Sequence, residues 1–435
     1  MIELTILCVA FTLLLLYGVP VSFCIGVATL LALFNVTPNA SMAFVISAQR
    51  MTSSLDSFTL VAIPLFILAG SMMNTGGIAS RLIDFAKVVV GWLPGSLAHI
   101  SCAANALFGS ISGSAVASAA AVGSTLSPLQ RKEGYDMPFC AAANVASSPC
   151  GLLIPPSSAL IVYSLISGGT PVDVLFVAGY IPGILMALSV MAWIAWKAHT
   201  GKLPATTYRY SFGEAMHITL RAAPSLLLIL IIMGGIVIGV FTATEAAGVA
   251  VLYTFILSRF FYGSLSWKSL IKATLDASVG TAVVMLMVGV SMTMSWLLAS
   301  TGSAKMLANA IIAMSDNSYV LMFMFNVFVL ALGTFLDITP GLLILTPIFL
   351  PVAMNLGISP VHFGIIITFN LCIGIATPPV GSTLFVAARV SQVSLSQLTR
   401  PLLPMFALEI AVLFLVTYLP ELSLWLPRMV LGNTG

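Results

Sequence analysis

Apolar stretches separated by short polar loops run through almost the whole chain, and their lengths predict a series of membrane helices. The run from Leu4 to Phe34, interrupted only by Gly18-Val19-Pro20, is expected to form the first span. An amphipathic interfacial helix follows over 39–54, then a span over 57–74. Residues 78–93 carry Arg81, Asp84 and Lys87 on one side, which suits a short span and a surface-lying helix equally. Further spans are predicted over 139–165, 172–196, 222–241, 246–262, 275–300, 362–388 and 403–425. Two regions differ. Residues 95–128 and 320–355 each place two apolar arms around a polar bend. Arms of ~12–15 residues fall short of the ~20 that a crossing needs, so both regions read as re-entrant helical hairpins.

The chain also repeats itself. Gly151-Leu-Leu-Ile-Pro-Pro-Ser157 returns as Gly374-Ile-Ala-Thr-Pro-Pro-Val380, an offset of 374 − 151 = 223 residues. At that offset Pro128 falls on Pro351, Gly134 on Gly357, and Ser110 on Gly333. Paired interruptions of apolar helices at matching points mark the ion and substrate sites of secondary transporters. Gly151 and Gly374 let the chain leave helical geometry. Pro155, Pro378 and Pro379 remove N–H donors, which leaves carbonyls around Leu153–Ile154 and Ala376–Thr377 without intrahelical partners. Each unsatisfied group in lipid costs several kcal/mol, so such a break survives where it lines a cavity or holds an ion.

Carbonyls with hydroxyls suit a hard monovalent cation such as sodium. The hairpin bends are expected to complete two quasi-symmetric sodium sites. Ser110, Ser112 and Ser114 serve the first, and Gly333, Asp337 and Thr339 the second, with Pro340 closing that bend. Either Pro-Pro motif alone is also explained as a simple helix kink; the repetition at one interval favours the ion site. Ser112-Gly113-Ser114, near Asn144, equally suits tight helix packing. Asp337 is flagged as an intramembrane carboxylate, with a helix cap as the alternative.

Composition supports a polytopic membrane protein and excludes several other classes. Of 435 residues, 60% are hydrophobic and 7% charged, and mean hydropathy is +1.12. No segment is long and polar enough for a soluble ATPase domain, and a net charge of +3 gives no ground for nucleic-acid binding. Met1-Ile2-Glu3 lacks the basic start of a cleavable signal. Basic residues gather at Arg131/Lys132, Lys197/Lys202/Arg209, Arg259/Lys268/Lys272 and Arg389/Arg400, all expected in the cytoplasm. Both termini then lie outside the cytoplasm, and the two hairpins open from opposite sides, so the repeats are inverted.

The six cysteines show neither metal spacing nor a disulfide framework and are expected to be buried. Glu245 is accounted for by helix capping with Thr242 or Thr244. His99, His217 and His362 are isolated. No nucleophile–base–acid cluster or phosphate loop is present in the sequence, so no enzyme activity and no cofactor is expected.

Several stretches together resemble the large membrane (M) subunit of tripartite ATP-independent periplasmic (TRAP) transporters. They are Ile63-Pro-Leu-Phe-Ile-Leu-Ala-Gly70, Gly109-Ser-Ile-Ser-Gly-Ser114, Leu153-Ile-Pro-Pro-Ser157, Ala178-Gly-Tyr-Ile-Pro-Gly183, Thr244-Glu-Ala-Ala-Gly248 and Ala376-Thr-Pro-Pro-Val-Gly381. The resemblance implies an elevator-type fold in which a transport domain moves against a scaffold. It implies sodium held through Ser110, Gly151, Ile154 and Pro156, and through Gly333, Gly374, Thr377 and Val380, with substrate between the hairpin tips. It also implies a small four-helix membrane (Q) subunit, a periplasmic solute-binding (P) protein, and uptake of an organic acid such as a C4-dicarboxylate or sialic acid. The location would be the bacterial inner membrane.

The fold expected is all-α and polytopic, with about 11 transmembrane segments and two re-entrant hairpins in inverted repeats. Scaffold helices are assigned to 1–75, the first transport repeat to 76–168, scaffold and linker arms to 169–300, the second repeat to 301–391 and a C-terminal scaffold helix to 392–435. The alternative is a stand-alone sodium- or proton-coupled anion symporter of the same superfamily, working without a binding protein.

Overall fold

The structure is a computed structural model that describes residues 2–432 except 202, 205, 206, 316, 379 and 380; of 304, 305, 307 and 308 it describes the backbone alone. Lys202, Pro379 and Val380 therefore lie outside the described residues. Every regular element described is helical.

The first apolar run is two helices and not one span. α1 (Ile2–Leu16) and α2 (Val21–Val36) fold back on each other around a turn in which Gly18 takes φ +78°. Glycine reaches that left-handed conformation without strain, and Pro20 starts α2 with no donor to lose. At ~1.5 Å per residue neither helix reaches across a ~30 Å hydrocarbon layer. α3 (Ala40–Leu55) is the expected amphipathic helix, capped by Asn39, and lies against α2.

A 3-10 turn at Phe58–Val61 leads into α4 (Ala62–Thr75). α5 (Ile78–Val90) has 13 residues, too few to cross; it buries Ile78, Leu82, Ile83 and Ala86 and leaves Asp84 exposed. It is the surface-lying alternative. The first hairpin is α6 (Ser96–Ser112) and α7 (Ala115–Lys132), and the first interrupted helix is α8 (Met137–Ser147) with α9 (Ser158–Ile166). α10 (Val172–His199), α11 (Phe212–Val237), α12 (Ala243–Ile256) and α13 (Trp267–Ser300) follow. The second repeat continues with α14 (Ser303–Ile312), hairpin arms α15 (Ser318–Gly333) and α16 (Ile338–Asn355), and the interrupted pair α17 (Pro360–Gly374) and α18 (Ser382–Ser391). α19 (Leu395–Tyr418) and α20 (Glu421–Leu431) end the chain.

The offset seen in the sequence recurs in the elements: α7 and α16 start 338 − 115 = 223 residues apart, and α8 and α17, and α10 and α19, start at the same interval. The short surface helix α5 thus has a counterpart in α14, which hydropathy did not reveal. Among the described residues, seven helical stretches are long and apolar enough to cross a membrane: Phe58–Thr75, α10, α11, Ala243–Phe261, α13, α16 and α19.

Packing divides the helices differently from the sequence-based division. α10 and α19, expected among the scaffold helices, pack directly on the interrupted helices α8 and α17. The reason is small side chains: Gly179 and Gly183 on α10 let the first break sink into that helix. A Cβ on Gly179 would lie 2.2 Å from the Leu153 carbonyl oxygen, and one on Gly183 2.6 Å from Ile154 Cγ1. The remaining group, α1–α4 with α11–α13, packs chiefly within itself.

The basic loops meet on one face. Arg131 Nη1 donates to Gln392 Oε1 (2.9 Å) and Nη2 to the Ser391 carbonyl (3.1 Å), joining the first basic cluster to the fourth. Tyr208 donates its backbone N–H to Gly91 (2.7 Å) and its hydroxyl to Glu133. Arg81 lies 3.5 Å over the Tyr262 ring, near the third cluster. α5 therefore runs along this basic face between two loops. At the opposite end of α12, Thr242 and Glu245 form the expected reciprocal cap. Five cysteines are buried, as expected; Cys8 is exposed on α1, because α1 sits at the edge of the fold.

Candidate functional site

The first break is built from three successive devices. α8 tightens into a 3-10 turn, Ser148–Leu152, and Leu153 and Ile154 still donate to the Cys150 carbonyl (both 3.1 Å). Pro155-Pro156 then stops the ladder. Ser157 restarts the helix as the cap of α9, its hydroxyl accepting from Leu160 N–H (3.3 Å) while donating to the Leu152 carbonyl. In the second repeat Thr377 N–H donates to Gly374 (2.9 Å), and Thr383 Oγ1 reaches back across the break to the Ile375 carbonyl (3.0 Å). Pro378 is the described proline of that break.

The repeated glycines of the two motifs do something other than release the helix. Gly151 sits inside the 3-10 turn and Gly374 is the last residue of α17, neither with positive φ. Both are contact points. A Cβ on Gly151 would lie 2.4 Å from Gly109 Cα, and one on Gly374 2.7 Å from Gly333 Cα. Each first hairpin arm thus touches its interrupted helix backbone to backbone, beside the residues expected to hold sodium. In the sequence Gly109 stood out only as part of the Gly109–Ser114 stretch, with no role of its own.

At these contacts two hydroxyls are placed alike. Ser110 Oγ donates to the Leu107 carbonyl (3.0 Å) and Thr377 Oγ1 to the Ile373 carbonyl (2.7 Å). Giving the proton to a helix carbonyl leaves the oxygen lone pairs as acceptors. The donor set at both breaks is therefore hydroxyl and carbonyl oxygen, which fits a hard cation. The described residues hold no group of three or more His, Cys, Asp or Glu side chains suited to a transition metal.

The hairpin bends come together. A cavity of about 150 Å³ is walled by Gly113, Ser114 and Ala115 of the first bend, Leu152 and Ser158 of the first break, and Asp337, Ile338 and Thr339 of the second bend, with Ile375 of the second break. Ser158 Oγ donates to the Gly113 carbonyl (2.9 Å) and ties break to bend. Gly113 has φ +61°, which its lack of a side chain allows. Ser112 is buried beside the bend, its hydroxyl directed to the Ser114 carbonyl (3.5 Å), and Pro340 is buried in the first turn of α16.

Three helices begin at this cavity. α7 is capped by Ser114, α9 by Ser157 and α16 by Asp337, whose carboxylate accepts from Ile338 N–H (2.9 Å). Helix N-termini present unpaired N–H groups and partial positive charge. Among the described residues, the only ionisable side chain on the wall is Asp337, and no cationic side chain lines it. An anion entering here meets amide dipoles and hydroxyls, with its charge only partly balanced.

Asn144, expected near the bend, is not on this wall. It is buried in α8, where its amide accepts from Asn105 Nδ2 (2.9 Å) and donates to the Ala119 carbonyl (2.9 Å). It ties both hairpin arms to the interrupted helix. The second repeat has its own tie, Asn370 Nδ2 to Asn326 Oδ1 at 2.6 Å, with Asn326 held by Thr417 Oγ1 (3.0 Å). Glu409 was also missed: it is wholly buried in α19, and neither carboxylate oxygen has a hydrogen-bond partner among the described residues. A single acid in a long apolar run gave the only sequence signal for it.

Comparison with known proteins assigns this architecture. Residues 8–422 match the family described as tripartite ATP-independent periplasmic transporter, DctM component. The chain is 50% identical to the protein YgiK of Salmonella typhimurium over 420 residues, covering 97% of this chain and 96% of that one. It is 39% identical to the sialic acid TRAP transporter large permease SiaM of Vibrio cholerae over 422 residues (96% and 97%). Identity to the C4-dicarboxylate TRAP transporter large permease DctM of Pseudomonas aeruginosa is 38% over 381 residues (88% and 89%). The YdaH transporter of Alcanivorax borkumensis, described as having an unusual topology, shares the fold with a TM-score of 0.60 at 14% identity, covering 87% and 88% of the two chains. The chain belongs to the TRAP transporter large permease family, and it is a multi-pass subunit of a secondary transporter.

Proposed function

We propose that this subunit moves an organic acid across the bacterial inner membrane in symport with sodium, by an elevator motion of the bundle that holds the breaks. The observation that carries the reading is the cavity shared by both hairpin bends, with three helix N-termini and, among the described residues, no cationic side chain on its wall. A carboxylate gains too little from dipoles and hydroxyls alone, so bound cations complete its charge balance. Sodium would be held by Ser110, Gly151, Ile154 and Pro156 at one break. At the other it would be held by Gly333, Gly374 and Thr377 together with Val380. Coupling then follows from electrostatics: the sodium-free site binds an anion poorly.

The elevator reading draws support from α5 and α14, short surface helices that precede each hairpin at matching positions and join it to the α4 and α13 side of the molecule. With the basic face cytoplasmic, α5 lying flat and α1–α2 folded back, both termini fall on the periplasmic side. The names of the relatives point to sialic acid or a C4-dicarboxylate as the class of cargo. A periplasmic binding protein would deliver it and a small four-helix membrane subunit would brace the scaffold; this subunit performs no catalysis.

The test is uptake by the chain reconstituted with those two partners. Uptake should require an inward sodium gradient and stop in choline buffer; unchanged uptake without sodium would overturn the reading.

A further inference from the structure

On the basic face, two hollows open into each other. One, of about 690 Å³, lies between α5, α11 and the turn after α12, and carries Arg81 and Arg221 with Asp84 and Tyr262. The other, of about 630 Å³, is an apolar groove between α11 and α12. Both are lined by Leu220, Pro224 and Phe261, so they form one continuous amphipathic trough. Leu227, Leu230 and Phe261 along it are exposed, as side chains facing acyl chains would be.

The charge of the polar end is unbalanced. Asp84 is paired with Lys87 at 2.8 Å, which cancels that acid, while no carboxylate pairs with Arg81 or Arg221 among the described residues. Arg81 is held in place by donating to the Gly77 carbonyl (2.7 Å) and by stacking on Tyr262. The Tyr262 hydroxyl is fixed in turn by Ser225 (2.9 Å). Depth can be read independently: Tyr262 and Trp267 are aromatic side chains of the kind that sit at headgroup level, and Arg221 directly precedes the apolar part of α11.

We propose that this trough binds an anionic phospholipid of the cytoplasmic leaflet, its phosphate between Arg81 and Arg221 and one acyl chain in the groove beside Pro224. Guanidinium groups match phosphate oxygens, and basic pockets between membrane helices on the cytoplasmic side suit such headgroups. The lipid would wedge α5 against α11 and so steady the arm that leads into the first hairpin.

The experiment uses the full chain in nanodiscs of phosphatidylcholine containing a minor share of phosphatidylglycerol, followed by detergent release and native mass spectrometry. The wild-type chain should retain phosphatidylglycerol over phosphatidylcholine. Arg221→Gln should reduce that retention at least fivefold, and Leu227→Trp, which fills the groove and leaves the charges, should reduce it as well. Retention unchanged in both variants would overturn the proposal. So would equal thermal stabilisation by inorganic phosphate or glycerol phosphate in place of the lipid, which would assign the arginines to a soluble anion. Protection of a Leu227→Cys thiol only when the small membrane subunit is present, whatever the lipid, would assign the groove to a protein helix.

Discussion

Gly374 lies against Gly333 so closely that a Cβ on the former would stand 2.6 Å from the carbonyl carbon of the latter. The first repeat does the same with Gly151 and Gly109, at 2.4 Å. Backbone atoms cannot rotate away as a side-chain tip can, so Gly374→Ala and Gly151→Ala must push the hairpin arm off the interrupted helix. Overpacking of this kind costs about 1–3 kcal/mol. The expected outcome is a subunit that still reaches the membrane but transports at least tenfold more slowly. Gly248→Ala, where a Cβ meets open space, should leave uptake unchanged.

Thr377 and Ser110 offer oxygen atoms, and the hydroxyl's own proton is already given to a helix carbonyl. Thr377→Ala should raise the sodium concentration for half-maximal uptake, and Thr377→Ser should restore it. An identical sodium curve for the alanine variant would remove this residue from the ion site.

Asp337 both caps α16 and faces the shared cavity. Asparagine caps about as well as aspartate, so Asp337→Asn separates the two roles. Loss of the negative charge should shift sodium activation about tenfold upward, equivalent to about 1.4 kcal/mol, with thermal stability unchanged. A drop in stability without a change in sodium response would make the residue a cap alone.

The asparagine ties are structural. Asn105→Leu removes the close donor to the buried Oδ1 of Asn144, and Asn370→Leu removes the donor to Asn326 Oδ1. Each should lower the unfolding free energy by about 1–3 kcal/mol, read as a reduced melting temperature in detergent, with sodium affinity retained in the surviving protein.

Ser127 and Ser391 approach to 3.2 Å between hydroxyls, across the contact of α7 with α18. Both helices belong to the bundle expected to travel as one body. A disulfide between cysteines placed at 127 and 391 should therefore leave uptake largely intact. Arrest on oxidation, reversed by a reductant, would show that these two helices separate during transport.

The hairpins and breaks were legible because they violate membrane-helix composition: Ser112-Gly113-Ser114 and Pro155-Pro156 cannot be explained as lipid-facing surface. Helix length settled α5, since its charge pattern permitted two placements and only its 13 residues exclude a crossing. Gly18-Val19-Pro20 was underestimated, as hydropathy registers a turn of three uncharged residues, one of them valine, as a brief dip. The grouping of α10 and α19 with the breaks was hidden for another reason. What decides it is the fit of Gly179 and Gly183 to the Leu153–Ile154 backbone, a tertiary contact with no periodic trace. Asn144 was misplaced because its position on the interrupted helix says nothing about which way the side chain points.

α7 packs on α18, and α9 on α16, so each half of the duplicated chain supplies a wall that the other half lacks. Neither half alone would enclose the pocket that the two bends share.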